Sequence, residues 1–254
     1  MPNSPLPNTE QPVHDPHPVL REYYADAAGK RRFLEHLFDA TAMDYDRIDK
    51  VVAFGTGPGY RRDALLRAGL KPGMRMLDVA IGTGLVAREA ARIVGDRGVV
   101  IGVDPSPGMI AASVSHGVRL VRGIGEALPF PDETFDFLSL GFALRHLEDL
   151  AAVFREFRRV LKQGGRLLLL EISRPEGRLT RALVKLYLRA IVPALVPMIA
   201  RGRPDAVLLS RYFWDTIEAC TPPERVLATL AATGFKDVDR VVKLRTFSEF
   251  RGTA

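Results

Sequence analysis

The chain has 254 residues, 47% of them apolar and 26% charged, with 36 basic against 30 acidic side chains. These proportions exclude a disordered or collagen-like chain, and the length suits one enlarged α/β domain or one domain with an accessory segment. The single cysteine, Cys220, excludes an internal disulfide and a cysteine-rich zinc site. With no signal-peptide pattern at the start, the expected compartment is the cytoplasm.

Residues 1–18 carry six prolines among polar residues, which removes backbone donors and offers no apolar face, so they read as a disordered tail. His14 and His17 in that tail are too few and too loosely held to make a metal site. From residue 19 to 69 the pattern is helical, with Phe33, Leu34, Leu37 and Phe38 at helical spacing and a break at Gly55-Thr-Gly-Pro-Gly59. This predicts a helical cap in front of the main fold, which occupies 70–254.

Short β-rich runs then alternate with helical ones. Strands are predicted at Met74–Val79, Gly98–Val103, Val118–Val121, Phe135–Leu140 and Arg166–Ile172, and helices at Gly84–Val94, Pro107–Ser115 and Asp149–Leu161. Such alternation implies a parallel sheet covered on both faces, because parallel strands need crossovers. It stops after Ser173, where an apolar, basic, proline-broken insertion (174–212) intervenes. Pro223–Ala232 reads as a helix closed by Gly234, followed by strands at Phe235–Leu244 and Thr246–Phe250.

The loop Asp78-Val-Ala-Ile-Gly-Thr-Gly84 joins the first strand to the first helix of this series, where an open α/β sheet builds its ligand crevice. Asp104, at the end of the next strand, is where a ribose-binding carboxylate belongs. Any nucleoside cofactor fits that much. Asp78 discriminates: a carboxylate repels a pyrophosphate but attracts the ammonium and sulfonium of S-adenosylmethionine.

These residues resemble class I S-adenosylmethionine-dependent methyltransferases, and more closely the ubiquinone/menaquinone biosynthesis C-methyltransferase family. The resemblance runs from Leu37 to Phe250 and rests on Leu77–Gly84, on Ala127-Leu-Pro-Phe-Pro-Asp132, and on Arg159–Arg166 running into Leu170-Glu-Ile-Ser-Arg-Pro175. It implies a Rossmann-like α/β fold: a seven-stranded, mostly parallel sheet with helices on both faces, an N-terminal helical cap and a helical insertion after the fifth strand. It further implies S-adenosyl-L-methionine as cofactor, with Asp78, Ala80, Gly82 and Gly84 around the methionine part, Asp104 and Pro105 at the ribose, and Met109, Gly125 and Glu126 at the adenine. Two departures stand out. Ile124 occupies the position where such enzymes carry an acidic residue facing the adenine amino group. The stretch Tyr45-Asp-Arg-Ile-Asp49 with Phe54-Gly55 is a drifted copy of the family's other signature, in which Asp49 replaces an asparagine, Gly57 a histidine and Tyr60 a tryptophan.

The segment after the fourth strand, Leu140-Gly-Phe-Ala-Leu-Arg-His146, faces the methyl group in this fold. Arg145 is expected to stabilise a phenolate and His146, where relatives carry asparagine, to remove a proton; Tyr45 is expected to close over the acceptor. The expected reaction is methyl transfer to a hydrophobic phenolic or quinol-type small molecule at a ring carbon. The alternatives are an O- or N-methyltransferase of a natural product, a nucleic-acid methyltransferase suggested by the charge, and a non-catalytic partner protein with a methyltransferase fold. No metal-ligand constellation is present, so activity is expected to survive EDTA.

Between Arg178 and Arg203 lie six basic residues and no acidic one, so the remaining 30 basic residues equal the 30 acidic ones. On a helical wheel Arg178, Arg181, Lys185 and Arg189 fall within about 80° of each other, while Leu183, Leu186, Leu188 and Ile191 cover the rest. The net charge of +6 therefore points away from nucleic acid and towards a peripheral contact of 178–203 with the inner face of a membrane, beside a greasy pocket. A homodimer is compatible with this reading.

Overall fold

The computed structural model describes residues 13–53, 55–113, 117–175, 177–200 and 203–254. Two helices come first, α1 (Ala27–Val52) and α2 (Gly57–Arg67). Asp26 starts α1 by accepting from the backbone N–H of Gly29 at 2.6 Å, satisfying one of the donors that every helix N-terminus leaves unpaired.

The α/β series follows as β1 (Arg75–Val79), α3 (Leu85–Val94), β2 (Val99–Asp104), α4 (Pro107–Ala112), β3 (Val118–Arg122), β4 (Phe135–Gly141), α5 (Leu150–Val160) and β5 (Leu161–Ile172). After the insertion come α9 (Pro223–Ala232), β6 (Lys236–Lys243) and β7 (Phe247–Thr253). All seven strands form one sheet in the order β3-β2-β1-β4-β5-β7-β6, parallel from β3 to β5, with β7 antiparallel to both of its neighbours. The expected seven-stranded, mostly parallel architecture is present. Strand order reverses between β1 and β4, and that switch point is where a crevice opens at the carboxyl ends of the strands.

The two faces of the sheet bury two separate cores, as the period of two along a strand requires. Leu77, Val79, Leu167 and Leu169 pack with α5 and α9. Met76, Leu168 and Leu170 pack with α2 and α3. A third core joins the cap to the insertion through Leu37, Ile48, Leu188, Val192, Leu209 and Trp214.

Among the described residues the insertion forms helices only: α6 (Arg178–Leu186), a wide π turn (Tyr187–Ile191), α7 (Val192–Ile199) and α8 (Pro204–Ala219). It therefore extends past residue 212. In the π turn the N–H of Val192 bonds to the carbonyl of Tyr187, five residues back, which inserts one residue into the helical register.

Two expectations need correcting. The tail reading does not hold for residues 13–18: Val13 is buried, its N–H donates to the Thr229 hydroxyl at 2.9 Å, and the carbonyls of His14 and Pro16 accept from Leu150 and Thr221. Proline removes donors but leaves every carbonyl free to accept, and this segment uses them. Residues 1–12, and the end of the helix expected to reach Ser115, lie outside the described residues. The fifth strand begins at Leu161 and not at Arg166, because Leu161 already pairs with Phe135 of β4; an irregularity follows, in which Gly164 and Gly165 bond to Ala254, before Arg166 pairs with Phe137.

Candidate active site

The glycine loop after β1 turns sharply. Gly82 and Gly84 have φ of 56° and 86°, and Ala80, a residue with a Cβ, is held at 52°. Such conformations suit glycine and are costly for alanine, so the loop around Ala80 is fixed by its surroundings. One anchor is Asp104, whose carboxylate accepts from the backbone N–H of Gly82 at 2.8 Å and of Ser106 at 2.9 Å. A second is α1. Asp39 accepts from the Ser106 hydroxyl and from the N–H of Gly108, and Asp46 from the Thr83 hydroxyl and from Arg88. Asp39 and Asp46 are seven residues apart, two turns on one helix face, so the cap clamps both cofactor loops at once.

Two cavities meet along this edge. The first is lined by Asp49, Arg61, Asp78, Thr83, Arg145, Leu188, Phe213, Ile217, Leu244 and Phe247. The second is lined by Lys30, Leu34, Phe38, Asp104, Pro105, Met109, Ile124, Gly125, Glu126 and His146. Tyr45, Ala80, Gly82, Gly141 and Phe142 line both, so the two communicate.

Asp78 is 1% exposed. Strand register sets it opposite Ser139, whose hydroxyl donates to it. Burial pushes its carboxyl up to about 7, against the lowering effects of the Ser139 hydrogen bond and of Arg61. Burial also raises Asp104, opposed by the Ser106 and Gly82 N–H groups. Glu126 accepts from the backbone N–H of Glu148 at 3.0 Å. Gly84 lines neither cavity; it caps α3 from behind the loop.

Arg145 and His146, adjacent in sequence, face different cavities, because successive side chains of the short 3-10 turn Leu144–His146 point about 120° apart. Arg145 is 3% exposed, paired with Glu171 at the end of β5, and donates to the Thr216 hydroxyl at 3.1 Å. Glu171 lies outside both linings and its carboxyl is raised by burial, with Arg145 opposing the shift. His146 stacks on Tyr212 and meets Phe38 edge-on. Burial, with Arg145 and Lys30 nearby, drives its pKa well below the usual value. An imidazole so hard to protonate is a poor proton acceptor, so the expectation that it serves as the base is not carried forward.

Tyr45 touches both cavities, and its phenol is pushed up to about 12 by burial and then by Asp49, which keeps it a hydrogen-bond donor at neutral pH. Lys30, overlooked in the sequence because lysines usually face water, is buried with its Nζ on the Leu147 carbonyl and is lowered to about 8 by desolvation.

The second cavity fits an adenosine in its chemistry: it holds the buried carboxylate of Asp104 at the end of β2 and the buried, apolar Met109. Asp78 fits the ammonium of the methionyl part.

Comparison with known proteins agrees. The model of the ubiE/COQ5 methyltransferase family matches residues 26–243. The ubiquinone/menaquinone biosynthesis C-methyltransferase UbiE of Shewanella sp. (strain W3-18-1) is 30% identical over 222 residues, covering 84% of this chain and 87% of that one. UbiE of Shewanella frigidimarina is 31% identical over the same shares. Among solved structures, a SAM-dependent methyltransferase from Aquifex aeolicus superposes with a TM-score of 0.56 at 21% identity, covering 76% of this chain and 88% of that one. Phosphoethanolamine N-methyltransferase 2 of Haemonchus contortus, in complex with S-adenosyl-L-methionine, gives 0.59 at 18% identity, covering 85% and 57%. These structures establish the fold, and the family match establishes the chemistry: the chain belongs to the ubiE/COQ5 methyltransferase family and is an S-adenosylmethionine-dependent methyltransferase.

Proposed function

We propose that this enzyme methylates a ring carbon of a lipophilic phenol or quinol. The observation that carries the reading is the character of the first cavity. It is walled by Phe142, Leu188, Phe213, Ile217 and Phe247, and the buried guanidinium of Arg145 lines it beside them. An aromatic ring with a greasy tail suits those walls, and its oxygen suits Arg145.

The cofactor supplies an electrophilic methyl group on a sulfonium centre. Everything else falls to the chain. Arg145 holds the acceptor oxygen as an anion, its proton lost to solvent, which loads the ring carbon with electron density; after that carbon takes the methyl group, the hydrogen it sheds leaves as a proton and the oxygen is reprotonated, restoring the aromatic ring and both hydroxyls. Glu171 and Thr216 fix the guanidinium so that it cannot turn away, and Tyr45, protonated, donates across the junction of the two cavities. Asp104 holds the ribose and Asp78 the ammonium, aligning donor and acceptor. The test is incubation with labelled cofactor and prenylated hydroquinones of varied tail length. The expected product gains one methylene in mass and keeps both free hydroxyls; a methyl ether in its place would establish the O-methyltransferase alternative, and no transfer to any acceptor the non-catalytic one.

Delivery of such an acceptor supports a membrane contact. Along the helix 178–199 the side chains of Leu179, Leu183, Leu186, Ile191, Leu195 and Met198 are exposed, while Leu188, Val192 and Val196 pack inward. Leu188 is also a wall of the first cavity. This helix has an 18-residue window of mean hydropathy 1.7, yet ion pairs of Arg181 with Glu218 and of Arg189 with Asp215 tie it to α8. It lies on the body of the protein with a greasy outer stripe, and Arg178 and Lys185 flank that stripe towards anionic headgroups. The cationic row is thus half neutralised, which leaves apolar insertion as the larger part of the contact.

A further inference from the structure

Arg61 was no candidate in the sequence, since an arginine amid Gly57-Pro-Gly-Tyr-Arg-Arg62 reads as a surface charge. In the structure it is 3% exposed. Its Nη2 donates to Asp49 at 2.6 Å, and its guanidinium carbon lies 5.3 Å from the centroid of the Phe142 ring. Nε and Nη1 are buried without a hydrogen-bond partner. Buried guanidinium donors left unpaired are costly, and such a group belongs with an anion. The chain makes room for it at a specific place: a Cβ on Gly57 would stand 2.3 Å from Nη1. Glycine at 57 is what lets the guanidinium sit there.

The same cavity contains Asp78, also buried, and the two opposite charges make no ion pair with each other. A buried carboxylate and a buried guanidinium that are not paired with each other, the guanidinium held by Asp49 through Nη2 alone, line one pocket beside the glycine loop and frame a molecule that carries an ammonium and a carboxylate on one carbon. We propose that Arg61 receives the α-carboxylate of the cofactor's methionyl end, with Asp78 taking its ammonium and with Asp49 and Gly57 as the residues that position the guanidinium. The assignment rests on the reading of Asp78 as the methionyl end of the site. Arg145, paired with Glu171 and lining the same cavity, remains with the acceptor.

The test is calorimetric binding of three ligands to wild type, Arg61→Gln, Arg61→Lys and Gly57→Ala: S-adenosylmethionine, its decarboxylated analogue, and methylthioadenosine, which lacks the amino-acid part. Wild type is expected to bind S-adenosylmethionine at least about tenfold more tightly than the decarboxylated analogue. Arg61→Gln should weaken S-adenosylmethionine by about 10- to 100-fold, leave the decarboxylated analogue within about threefold, and leave methylthioadenosine unchanged, which also shows that the site still folds. Arg61→Lys should recover part of the loss, and Gly57→Ala should reproduce a smaller version of it by displacing the guanidinium. The proposal is overturned if Arg61→Gln binds S-adenosylmethionine like wild type, weakens all three ligands alike, or raises only the acceptor KM. Wild type that binds methylthioadenosine but does not favour S-adenosylmethionine over the analogue would overturn it equally. Wild type that binds none of the three would overturn the reading of the cavity itself.

Discussion

The cavity beside Asp104 is lined by the turns that follow β1, β2, β3 and β4 and is closed by α1, whereas the cavity beside Arg145 takes Asp78 and Thr83 from the glycine loop and its other side chains from α1, α2, the turn after β4, the π turn, α8 and the β6–β7 hairpin. The first is made largely of backbone held in fixed turns by Asp104, Asp39 and Asp46. Away from the glycine loop, the cavity beside Arg145 is made of side chains from six distant segments. A loop built on backbone geometry tolerates few substitutions, while a wall of apolar side chains accepts many of similar size. That is why the glycine loop matches its family closely and the residues around 49–60 have drifted, and why the cofactor is plainer to read than the acceptor.

The comparison can be broken first at Arg145. Removing one partner of its buried pair, as in Arg145→Met, should cost about 3–5 kcal/mol in chemical denaturation because Glu171 is left charged and alone. The double variant Arg145→Met/Glu171→Leu should regain most of that stability while turnover stays down by about 100-fold or more; recovery of turnover with stability would reduce Arg145 to a structural role. Next in size is Asp104→Ala, for which cofactor Kd should rise by about 100-fold, as expected for losing a charged acceptor that also pins the loop. Binding of a hydroquinone to the other cavity, followed by fluorescence, should hardly change.

The pH dependence of cofactor binding sharpens the role of Asp78. Its carboxyl, raised to about 7 by burial, must be ionised to hold an ammonium. Below that pH a proton must leave for binding to occur, so Kd should climb by up to about tenfold per unit as pH falls and be flat above. Asp78→Asn should bind weakly with no such slope. A smaller effect is expected at the outer stripe: Leu183→Glu with Leu186→Glu should lower co-sedimentation with anionic vesicles about tenfold and leave turnover of a short-tailed acceptor intact. If that face instead seats a second copy of the chain, the variant will change oligomeric state and not vesicle binding. The smallest change is expected for His146→Asn, with kcat within about threefold and an unaltered pH–rate profile, because the imidazole stays neutral across the working range.

Much of the frame was legible because it is written in local periodicity. The alternation of strand and helix, the glycine loop and the aspartates closing β1 and β2 all lie within runs of ten residues or so. What escaped depends on three-dimensional neighbours. Glu171 is 26 residues from Arg145, and nothing local announces that two parallel strands bring them together. The divergence of Arg145 from His146 follows from a short 3-10 turn that no spacing rule marks. Arg61 and Lys30 were passed over because long cations are usually at the surface, and the docking of residues 13–18 was hidden by a proline content that signals only the loss of donors.

The π turn at 187–191 acts as a phase shifter. Its extra residue sets the phase between Leu188 in the turn and the row Val192 and Val196 of α7, so that all three pack inward although α6 before it buries no side chain fully. Deleting one residue there would restore a regular helix yet rotate everything beyond by about 100°, swinging Val192 and Val196 outward. A relative lacking that residue would need a different set of buried positions in α7 to keep the pocket sealed. Length variation at this single turn is therefore a means of exchanging the outer surface of the enzyme while the wall facing the substrate, anchored by Leu188, stays in place.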